Sequence, residues 1–493
     1  MKARSQGTES ESVMCFTSFT HSAGLGAIVQ VSCGCVSYVC VCVLSTPWAR
    51  GTVSLNNVLC EHACARSTAS TSGTRFCMSC ANVVKSPSRD CPPGLLGVDT
   101  TSLANVVRNS NADIWDMCDD LAARAAAGLA YKTLEQAYGV KYIEGGLLYD
   151  IPLRQIHRPA CHYIRDWMHT PVSGGVVNTQ TALILHECKA LNIGISVVRN
   201  FSLDCVLPKK YGKVCADWLR DARLKADTVS SFASSLLTVV PIVGMFLVDC
   251  VQSVAGAEEL TEHIRCYMLL VNILGLLTMG AEAGVAHLDL LATWIVEHHD
   301  LYVTLYGAET CKPKWHHMLH LPEHYARLQK IISCFVAERK HRASKAAALH
   351  VFRYLEHTVL TDLINRQCQQ VVEGHGLFQN KFLAHPRVLE VMGVEYLRST
   401  EAVLACGHIH ADDIVYVAGG TIARVVAFWQ PRGSTHDNLV AHCMGMLVVG
   451  DNRYVDSGRP LFVDTDSIVD ACVYRPFGDG VIRVRVPFAA RFR

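Results

Sequence analysis

Two histidines four residues apart stand out in a short segment bounded by prolines. His316 and His320 lie between Pro313 and Pro322, within the run Lys-Pro-Lys-Trp-His-His-Met-Leu-His-Leu-Pro. Residues four apart share one face of a helix, so both imidazoles face the same way if this segment is helical. Imidazole nitrogens are good zinc ligands. The spacing therefore predicts half of a metal site.

A Cys-x-x-Cys pair far upstream offers the other half. Cys77 and Cys80 supply two thiols at the spacing of tetrahedral zinc sites, and the sequence contains no second Cys-x-x-Cys. His316 and His320 are the candidates that would complete a Cys2His2 site. The simpler alternative is that the two pairs are unrelated local features.

Weaker metal-ligand candidates occur elsewhere in the sequence. One is Cys60 with Cys64, and another is Cys406-Gly-His-Ile-His410. We interpret both as parts of loops or strand ends.

Two acidic residues suggest a different kind of chemistry. Asp166 and His169 are three residues apart, so on a helix the carboxylate and the imidazole share a face. Glu338 follows Phe335 at helical spacing inside a basic cluster. Carboxylates that share divalent ions activate water or a 3′-hydroxyl in two-metal phosphoryl transfer. Each acid also has a simpler interpretation, because Asp-x-x-His is common and a charged helix face is usually only solvated.

The elements that would position these residues fall into five regions. Residues 1–75 are rich in Cys, Ser and Thr and are predicted to be poorly ordered or unrelated to the rest. Residues 76–212 mix helix signals, as at 105–138, with extended ones at 142–150 and 193–198. Apolar residues then recur every three or four positions, which predicts an all-α insertion at 213–310. Residues 311–399 carry the histidines and a Glu-bearing helix, and 400–493 alternate short apolar runs with Gly-rich turns, as expected of a small all-β module.

Composition limits the function classes. Half of the 493 residues are hydrophobic and only 18% are charged, which argues against a disordered chain. The net charge is +1, so affinity for nucleic acid must come from local patches, such as the basic clusters at 209–225 and 330–345. A phosphate-binding Walker loop and a Rossmann glycine fingerprint are both absent, which disfavours nucleotide-driven and redox functions. Most of the 23 cysteines are predicted to be reduced and buried.

Three apolar stretches resemble membrane spans. Residues 23–44 are β-branched and partly alternating, which favours strands. Residues 232–248 contain Pro241 and residues 267–279 contain Asn272, and both stretches are short for a span. We predict buried elements without membrane association. A membrane protein that uses 23–44 and 232–248 as spans is the alternative.

The order of these motifs resembles that of CACTA/En-Spm-type transposases. Asp166-Trp-Met-His169 resembles their Asp-x-Met-His signature, and the segments 312–322 and 335–339 resemble their Lys-Pro-x-x-His and Phe-Glu-Arg region. Cys77-Met-Ser-Cys80 is similar to the Cys-x-x-Cys pair between the first two catalytic acids of that family. The resemblance covers roughly residues 70–375.

The resemblance implies an α/β core of RNase H-like type that is interrupted by the all-α insertion and followed by the β module. It implies a Mg²⁺-dependent Asp-Asp-Glu triad for DNA strand cleavage and transfer, with Asp166 as the second acid, Glu338 as the third and His169 beside them. It also strengthens the case for zinc at Cys77, Cys80, His316 and His320. The resemblance also suggests that the protein binds transposon-end DNA, forms a homo-oligomer and is located in the nucleus.

One departure from the family pattern bears on activity. The first catalytic aspartate should precede the Cys-x-x-Cys pair, yet the first aspartate of the chain is Asp90. We therefore expect a truncated or degenerate transposase-derived protein with impaired catalysis. The alternative is a non-enzymatic DNA-binding or interaction protein on the same scaffold.

Overall fold

The structure is a computed structural model that describes residues 15–43, 74–84, 108–335 and 381–486, apart from short gaps, together with residues 361, 364 and 365. The gaps are 22–23, 34–35, 76, 78, 81–82, 147, 209–218, 253, 255, 280–282, 405, 435–437 and 451. For residues 15–43 the description concerns the backbone. The chain divides into two compact units, one of residues 1–98 and 104–164 and the other of residues 99–103 and 165–493.

The first unit begins with a three-stranded antiparallel sheet in the order β1-β2-β3. These strands are Cys15–His21, Gly24–Cys33 and Val36–Val43. Valines and other β-branched residues in β2 and β3 suit a pleated strand better than a helix. The prediction of an extended stretch at 23–44 is confirmed for the residues described there, 24–33 and 36–43.

The rest of the described first unit consists of helices joined by turns and loops, together with the short paired strands β4 (Thr74–Arg75) and β5 (Val83–Val84). The longest helix begins with a capping box, in which the Ser110 hydroxyl accepts from the Asp113 amide and the Asp113 carboxylate accepts from the Ser110 amide. Ile114, Cys118 and Leu121 form its buried face. The helices are α1 (Asn111–Ala126), α2 (Lys132–Tyr138), α3 (Ile151–Arg154) and α4 (Pro159–His162). A helix within 105–138 is thus confirmed, whereas 142–150 form turns and loop where described, so the extended segment predicted there is wrong.

The first part of the second unit is helical, as predicted for the middle of the chain. Its helices are α5 (Val176–Ala190), α6 (Ile195–Asp204), α7 (Ala233–Phe246), α8 (Thr261–Leu277), α9 (Leu288–Tyr306), α10 (Pro313–Leu319) and α11 (Leu321–Leu328).

One strand prediction in this region is wrong. Residues 193–198 were expected to be extended, but helix α6 begins at Ile195, directly after Gly194. Ile195, Val198 and Phe201 are all buried and recur every three residues along that helix. Their helical spacing outweighs the strand preference of a short β-branched run.

Two stretches of the second unit are, by length and composition, long and apolar enough to cross a membrane. They are Ala233–Val251 and Ala257–Leu277, and a bent pair, Met168–Ala190 with Ile195–Asp204, would add a third. Half of the apolar window of the first stretch and 61% of that of the second are buried inside the protein. The absence of membrane association stays a prediction.

The C-terminal all-β module is confirmed, and it begins earlier than residue 400. Nine of its strands form one antiparallel sheet, in which β15-β11-β12-β13-β14-β17-β16 are neighbours in that order, β8 also pairs with β12, and β7 pairs with β8. The order of a second, three-stranded sheet is β10-β9-β6. The strands are β6 (Phe382–Leu383), β7 (Arg387–Val391), β8 (Val394–Ser399), β9 (Glu401–Leu404), β10 (Gly407–His410), β11 (Ile414–Val417), β12 (Thr421–Pro431), β13 (Val440–Gly450), β14 (Arg453–Asp464), β15 (Ile468–Ala471), β16 (Val473–Gly478) and β17 (Val481–Arg485).

The structure does not show an RNase H-like core sheet in the residues that it describes between 76 and 212. The strands there are β5 and isolated bridges, and the rest is helix, turn and loop. The RNase H-like arrangement therefore stays a prediction.

The cysteines whose side chains are described form no disulfides. Eight of these thirteen are buried, as predicted for reduced cysteines that pack as small apolar side chains. Burial raises the pKa of the Cys188 and Cys443 thiols to about 12, so both stay protonated near neutral pH.

A buried polar network connects three helices of the second unit. The ring of His298 on α9 lies 2.7 Å from the amide oxygen of Gln180 on α5. The amide nitrogen of Gln180 donates to the Cys266 sulfur on α8 at 3.1 Å. Burial lowers the pKa of His298 to about 3, with a smaller contribution from His299, so the ring is neutral in the folded protein.

This histidine predicts an acid-dependent loss of stability. Because its folded pKa lies below the unfolded value near 6.5, the unfolded chain binds more protons between those two pH values, and the free energy of unfolding falls as the pH decreases. At pH 5 the loss from His298 is about 2 kcal/mol. Denaturant titrations measure the free energy of unfolding at pH 7 and at pH 5. The difference between the two values should be smaller by about 2 kcal/mol in His298→Gln than in the parent. The half-buried His186 on α5 provides the control variant His186→Gln. An unchanged stability difference between the two pH values in His298→Gln would show that the His298 ring does not control the effect.

Candidate metal centres

His316 and His320 point their ring nitrogens at each other at the C-terminal end of α10. Pro313 occupies the first turn of α10, where its missing N–H costs no hydrogen bond. His316 lies on the helix and His320 directly follows it, and the Nε2 atoms of the two rings are 3.0 Å apart. Both side chains are fully buried. The helical spacing predicted from the sequence is confirmed.

The two cysteines are held by a side chain that sequence reasoning missed. The Asn109 amide donates to the carbonyl oxygens of Cys77 at 3.2 Å and Cys80 at 3.0 Å. The Asn109 backbone amide donates to the Ser79 carbonyl at 3.3 Å. Three hydrogen bonds from one residue fix the turn that presents the thiols. Asn109 directly precedes the Ser110 cap of α1, so the helix start and the cysteine turn are parts of one local structure.

The four predicted zinc ligands converge. One ligand atom from each of Cys77, Cys80, His316 and His320 lies within 4.8 Å of the other three, and all four residues are buried. In a tetrahedral zinc site two nitrogens are about 3.3 Å apart and two sulfurs about 3.8 Å, given bonds of about 2.05 and 2.3 Å. The observed spacing thus fits a bound metal such as zinc after small shifts.

A carboxylate lies on the far side of His320. The Nδ1 atom of His320 lies 3.6 Å from a Glu323 oxygen, opposite the nitrogen that faces His316. This distance is longer than a hydrogen bond. Nε2 is the His320 nitrogen that faces His316.

A second cluster surrounds Asp166 in the second unit. Oδ1 of the carboxylate accepts from the Met168 amide at 3.0 Å and from the Cys334 amide at 2.7 Å. Oδ2 accepts from the His169 amide at 3.0 Å and contacts Nδ1 of the His169 ring. Asp166 and His169, which were predicted to share a helix face, are in contact, although Asp166 lies just before the turn Met168–Val172. Cys334, 168 residues away in sequence, is an additional member.

These contacts leave Asp166 little capacity for a metal ion. A carboxylate offers about four lone-pair positions, and the hydrogen bonds to Asp166 number four. Burial raises the pKa of Asp166, but the hydrogen bond and charge of His169 and the amides of Cys334 and His169 outweigh it and lower the pKa below the usual value. The carboxylate is thus ionised, and an incoming cation must displace the His169 ring.

The backbone on either side of this junction is fixed as well. The Arg165 amide donates to Nδ1 of His324 at 3.1 Å, and the Trp167 amide donates to the Ile332 carbonyl at 3.3 Å. The Tyr325 hydroxyl shares its proton between the carbonyls of Arg165 at 3.2 Å and Ile332 at 3.1 Å. The junction therefore joins residues 165–170 to residues 324–334.

Glycine is required where the turn after Asp166 meets α5. Asp166 is followed by a π-helical turn, Met168–Val172, and Gly175 is the N-cap residue of α5. A Cβ atom at Gly175 would lie 2.2 Å from the Thr170 carbonyl oxygen, which is well inside contact distance. Any larger residue would push α5 away from the turn that carries His169.

Glu338 lies outside the described residues, so its predicted approach to Asp166 stays a prediction. The chain is described up to Phe335, whose ring packs edge-on against Trp167 at 5.3 Å between centroids. The sequence did not predict the hydrogen bond between Cys334 and Asp166. The backbone N–H of Cys334 is the donor, and a backbone donor cannot be recognised from the type of residue.

Comparisons with known proteins do not assign this site. A scan against protein-family models and a search of curated proteins find no match. The resemblance to the CACTA/En-Spm transposases therefore depends on the motifs alone.

The Asp166 junction predicts a stability cost for its removal. Asp166→Ala should lower the free energy of unfolding by about 3 kcal/mol, because three backbone amides lose their acceptor and hydrogen bonds to charged groups are the stronger ones. Asp300→Ala, a change at an exposed position on α9, is the matched control and should cost less than about 0.5 kcal/mol. Denaturant unfolding followed by circular dichroism measures both. Equal effects of the two variants would contradict the role given to Asp166.

Proposed function

We propose that this chain is a transposase-derived DNA-binding protein that has kept a zinc centre and has lost strand cleavage. Its ancestry would lie among the CACTA/En-Spm-type Asp-Asp-Glu transposases. Asp166 and Glu338 are the residues that once held Mg²⁺ in this proposal, and the core around them would be RNase H-like. A nuclear location and transposon-end DNA as the partner follow from the same ancestry.

The hydrogen bond from the Cys334 amide to Asp166 supports this proposal most directly. It joins Asp166 of the first motif to Cys334, the residue directly before the 335–339 segment, although 168 residues separate the two. Glu338 lies outside the described residues, and its role as the third acid is proposed from the resemblance alone.

Two observations favour loss of cleavage. The four hydrogen bonds to Asp166 occupy its lone pairs. No aspartate precedes Asp90, so the first acid of the triad has no counterpart before the Cys-x-x-Cys pair. Without that acid, a metal pair lacks a ligand and the charge that develops on the scissile phosphate is poorly balanced. Binding without chemistry, the non-enzymatic alternative, therefore fits the Asp166 geometry better than active strand transfer does.

Zinc is the metal we propose for Cys77, Cys80, His316 and His320. A buried set of two thiols and two imidazoles matches closed structural zinc sites, whereas Mg²⁺ prefers oxygen ligands. With four protein ligands, the ion would have no open position for a substrate. Its role would be to stabilise the fold.

The zinc assignment predicts one tightly bound equivalent. Cys80→Ser should weaken binding by more than about 100-fold, because even the loss of a residue that only orients a ligand costs 10- to 100-fold. Metal analysis of the dialysed full chain, with competition by a chelator, measures the stoichiometry and the affinity. Cys188→Ser, a buried cysteine on α5, is the matched control and should keep the full equivalent. A parent chain that holds no zinc, or a Cys80→Ser variant with unchanged zinc, would refute the assignment.

Exposed cations near residue 220 provide a first surface for DNA. Much of both basic clusters lies outside the described residues, but Arg223 and Lys225 are described and exposed. Asp227 lies two residues after Lys225, and its carboxylate pairs with Nζ of Lys312, at the start of α10, at 3.1 Å. Arginine and lysine that neutralise phosphates release counterions, so binding of this kind weakens steeply as salt rises.

The double variant Arg223→Glu/Lys225→Glu should bind duplex DNA less tightly and with a shallower salt dependence. The slope of log affinity against log salt should fall by about one for each lost phosphate contact. Fluorescence anisotropy with a labelled duplex at several salt concentrations measures this slope. Arg387→Glu/Arg459→Glu changes the net charge equally at two exposed positions of the β module and serves as the control.

A cleavage assay on the same duplex decides between DNA binding alone and DNA cleavage. The protein is incubated with the duplex and Mg²⁺, and nicked products are separated on a gel. The proposal expects binding without cleavage, both in the parent and in Glu338→Gln. Mg²⁺-dependent nicking that disappears in Glu338→Gln would instead establish an active nuclease. A parent chain with no measurable DNA affinity at low salt would refute both.

A further inference from the structure

A third group of metal-ligand side chains lies on the β9–β10 hairpin. His408 and His410 are two residues apart on β10, so both side chains project from one face of the strand. Glu401 on β9 is the register partner of His410. One ligand atom from each of these three residues lies within 4.8 Å of the other two.

Both rings approach the same carboxylate oxygen. Nδ1 of His408 lies 3.1 Å from Oε1 of Glu401, and Nε2 of His410 lies 3.7 Å from that atom. Nitrogen and oxygen ligands of one tetrahedral ion are about 3.4 Å apart, given bonds of about 2.0–2.2 Å. The observed distances fall on either side of that value. Small rotations of the two rings would bring all three atoms to a common ion.

The backbone beneath these side chains is firmly held. Ala402, Leu404 and Ile409 point to the opposite face of the hairpin and are buried in the core of the β module. The His410 amide donates to the Asp413 carboxylate at 2.8 Å, and β6 pairs with the outer edge of β9. The three ligands therefore start from a rigid frame, which lowers the cost of ordering them around an ion.

The geometry points to an exchangeable binding site for a first-row divalent transition metal at Glu401, His408 and His410. Two imidazoles favour Zn²⁺, Ni²⁺ or Cu²⁺ over Mg²⁺ and Ca²⁺, which prefer oxygen ligands. Three protein ligands leave at least one position for water or another small ligand. The side chain of His408 is 55% exposed, that of Glu401 26% and that of His410 16%, so an ion can enter and leave from solvent.

This site differs from the Cys2His2 cluster in ligands and in accessibility. It contains no thiol, it has three ligands instead of four, and its side chains are partly exposed. Its occupancy should therefore respond to the free metal concentration, whereas that of the buried cluster should be constant. The proposal does not depend on the DNA-binding function or on zinc at the cysteines.

Titration calorimetry of the full chain with Zn²⁺ tests the proposal. The parent should bind Zn²⁺ at a weaker site in addition to any tightly held equivalent, and Mg²⁺ at the same concentrations should not compete. Glu401→Gln and His410→Gln should each weaken this binding by at least about 10-fold, because each removes one of three ligands. Both changes keep the size of the side chain, and thermal melting without metal should show that the variants are folded.

His442→Gln on β13 is the matched control, since His442 is a histidine of the same module that stacks on Phe462 instead of facing a carboxylate. It should bind Zn²⁺ as the parent does. Cys80→Ser should also keep the weaker site, which separates this proposal from the one on the buried cluster. A parent chain without a weaker site, or weaker binding that is unchanged in both Glu401→Gln and His410→Gln, would overturn the proposal.

Discussion

The carboxylate of Asp166 accepts hydrogen bonds from two parts of the chain that lie 168 residues apart in sequence. Three backbone amides and one imidazole use it as their acceptor, and the charge that they stabilise keeps it ionised at neutral pH. Because a backbone amide makes the distant contact, the junction fixes the course of the chain and not only a side chain. The chain next to Phe335 is held to Asp166 by this hydrogen bond.

The junction is also connected to the histidines that could bind a metal. The ring of His320 stacks on that of His324, with centroids 5.9 Å apart and planes within 15°. Burial, followed by the charges of His320 and Arg165, lowers the pKa of His324 to about 3, so its ring stays neutral and Nδ1 accepts from the Arg165 amide. A metal on His320 would fix the first ring of this series. Packed side chains therefore connect this candidate metal ligand to the backbone next to Asp166.

The sequence predicted those parts of the structure that local patterns specify. Cys77, Cys80, His316 and His320 were found because metal-ligand spacing is a local pattern. The β module was found because short apolar runs alternate with Gly-rich turns along the sequence. The strand prediction at 193–198 failed because four β-branched apolar residues in a run of six do not distinguish a strand from one face of a helix. Asn109 and the Cys334 amide were missed because hydrogen bonds to and from the backbone leave no mark on residue type. The cross-strand pair of Glu401 and His410 was undervalued because strand register is not visible in a five-residue motif.

Amide hydrogen exchange at Cys334, measured by NMR, tests the central claim most directly, because this N–H donates to Asp166. In the parent the Cys334 amide should exchange slowly, and in Asp166→Ala it should exchange at least about 10-fold faster relative to the Val425 amide, which donates to the Asp413 carbonyl on the β module. Rapid exchange at Cys334 in the parent, or an unchanged ratio in Asp166→Ala, would contradict the account.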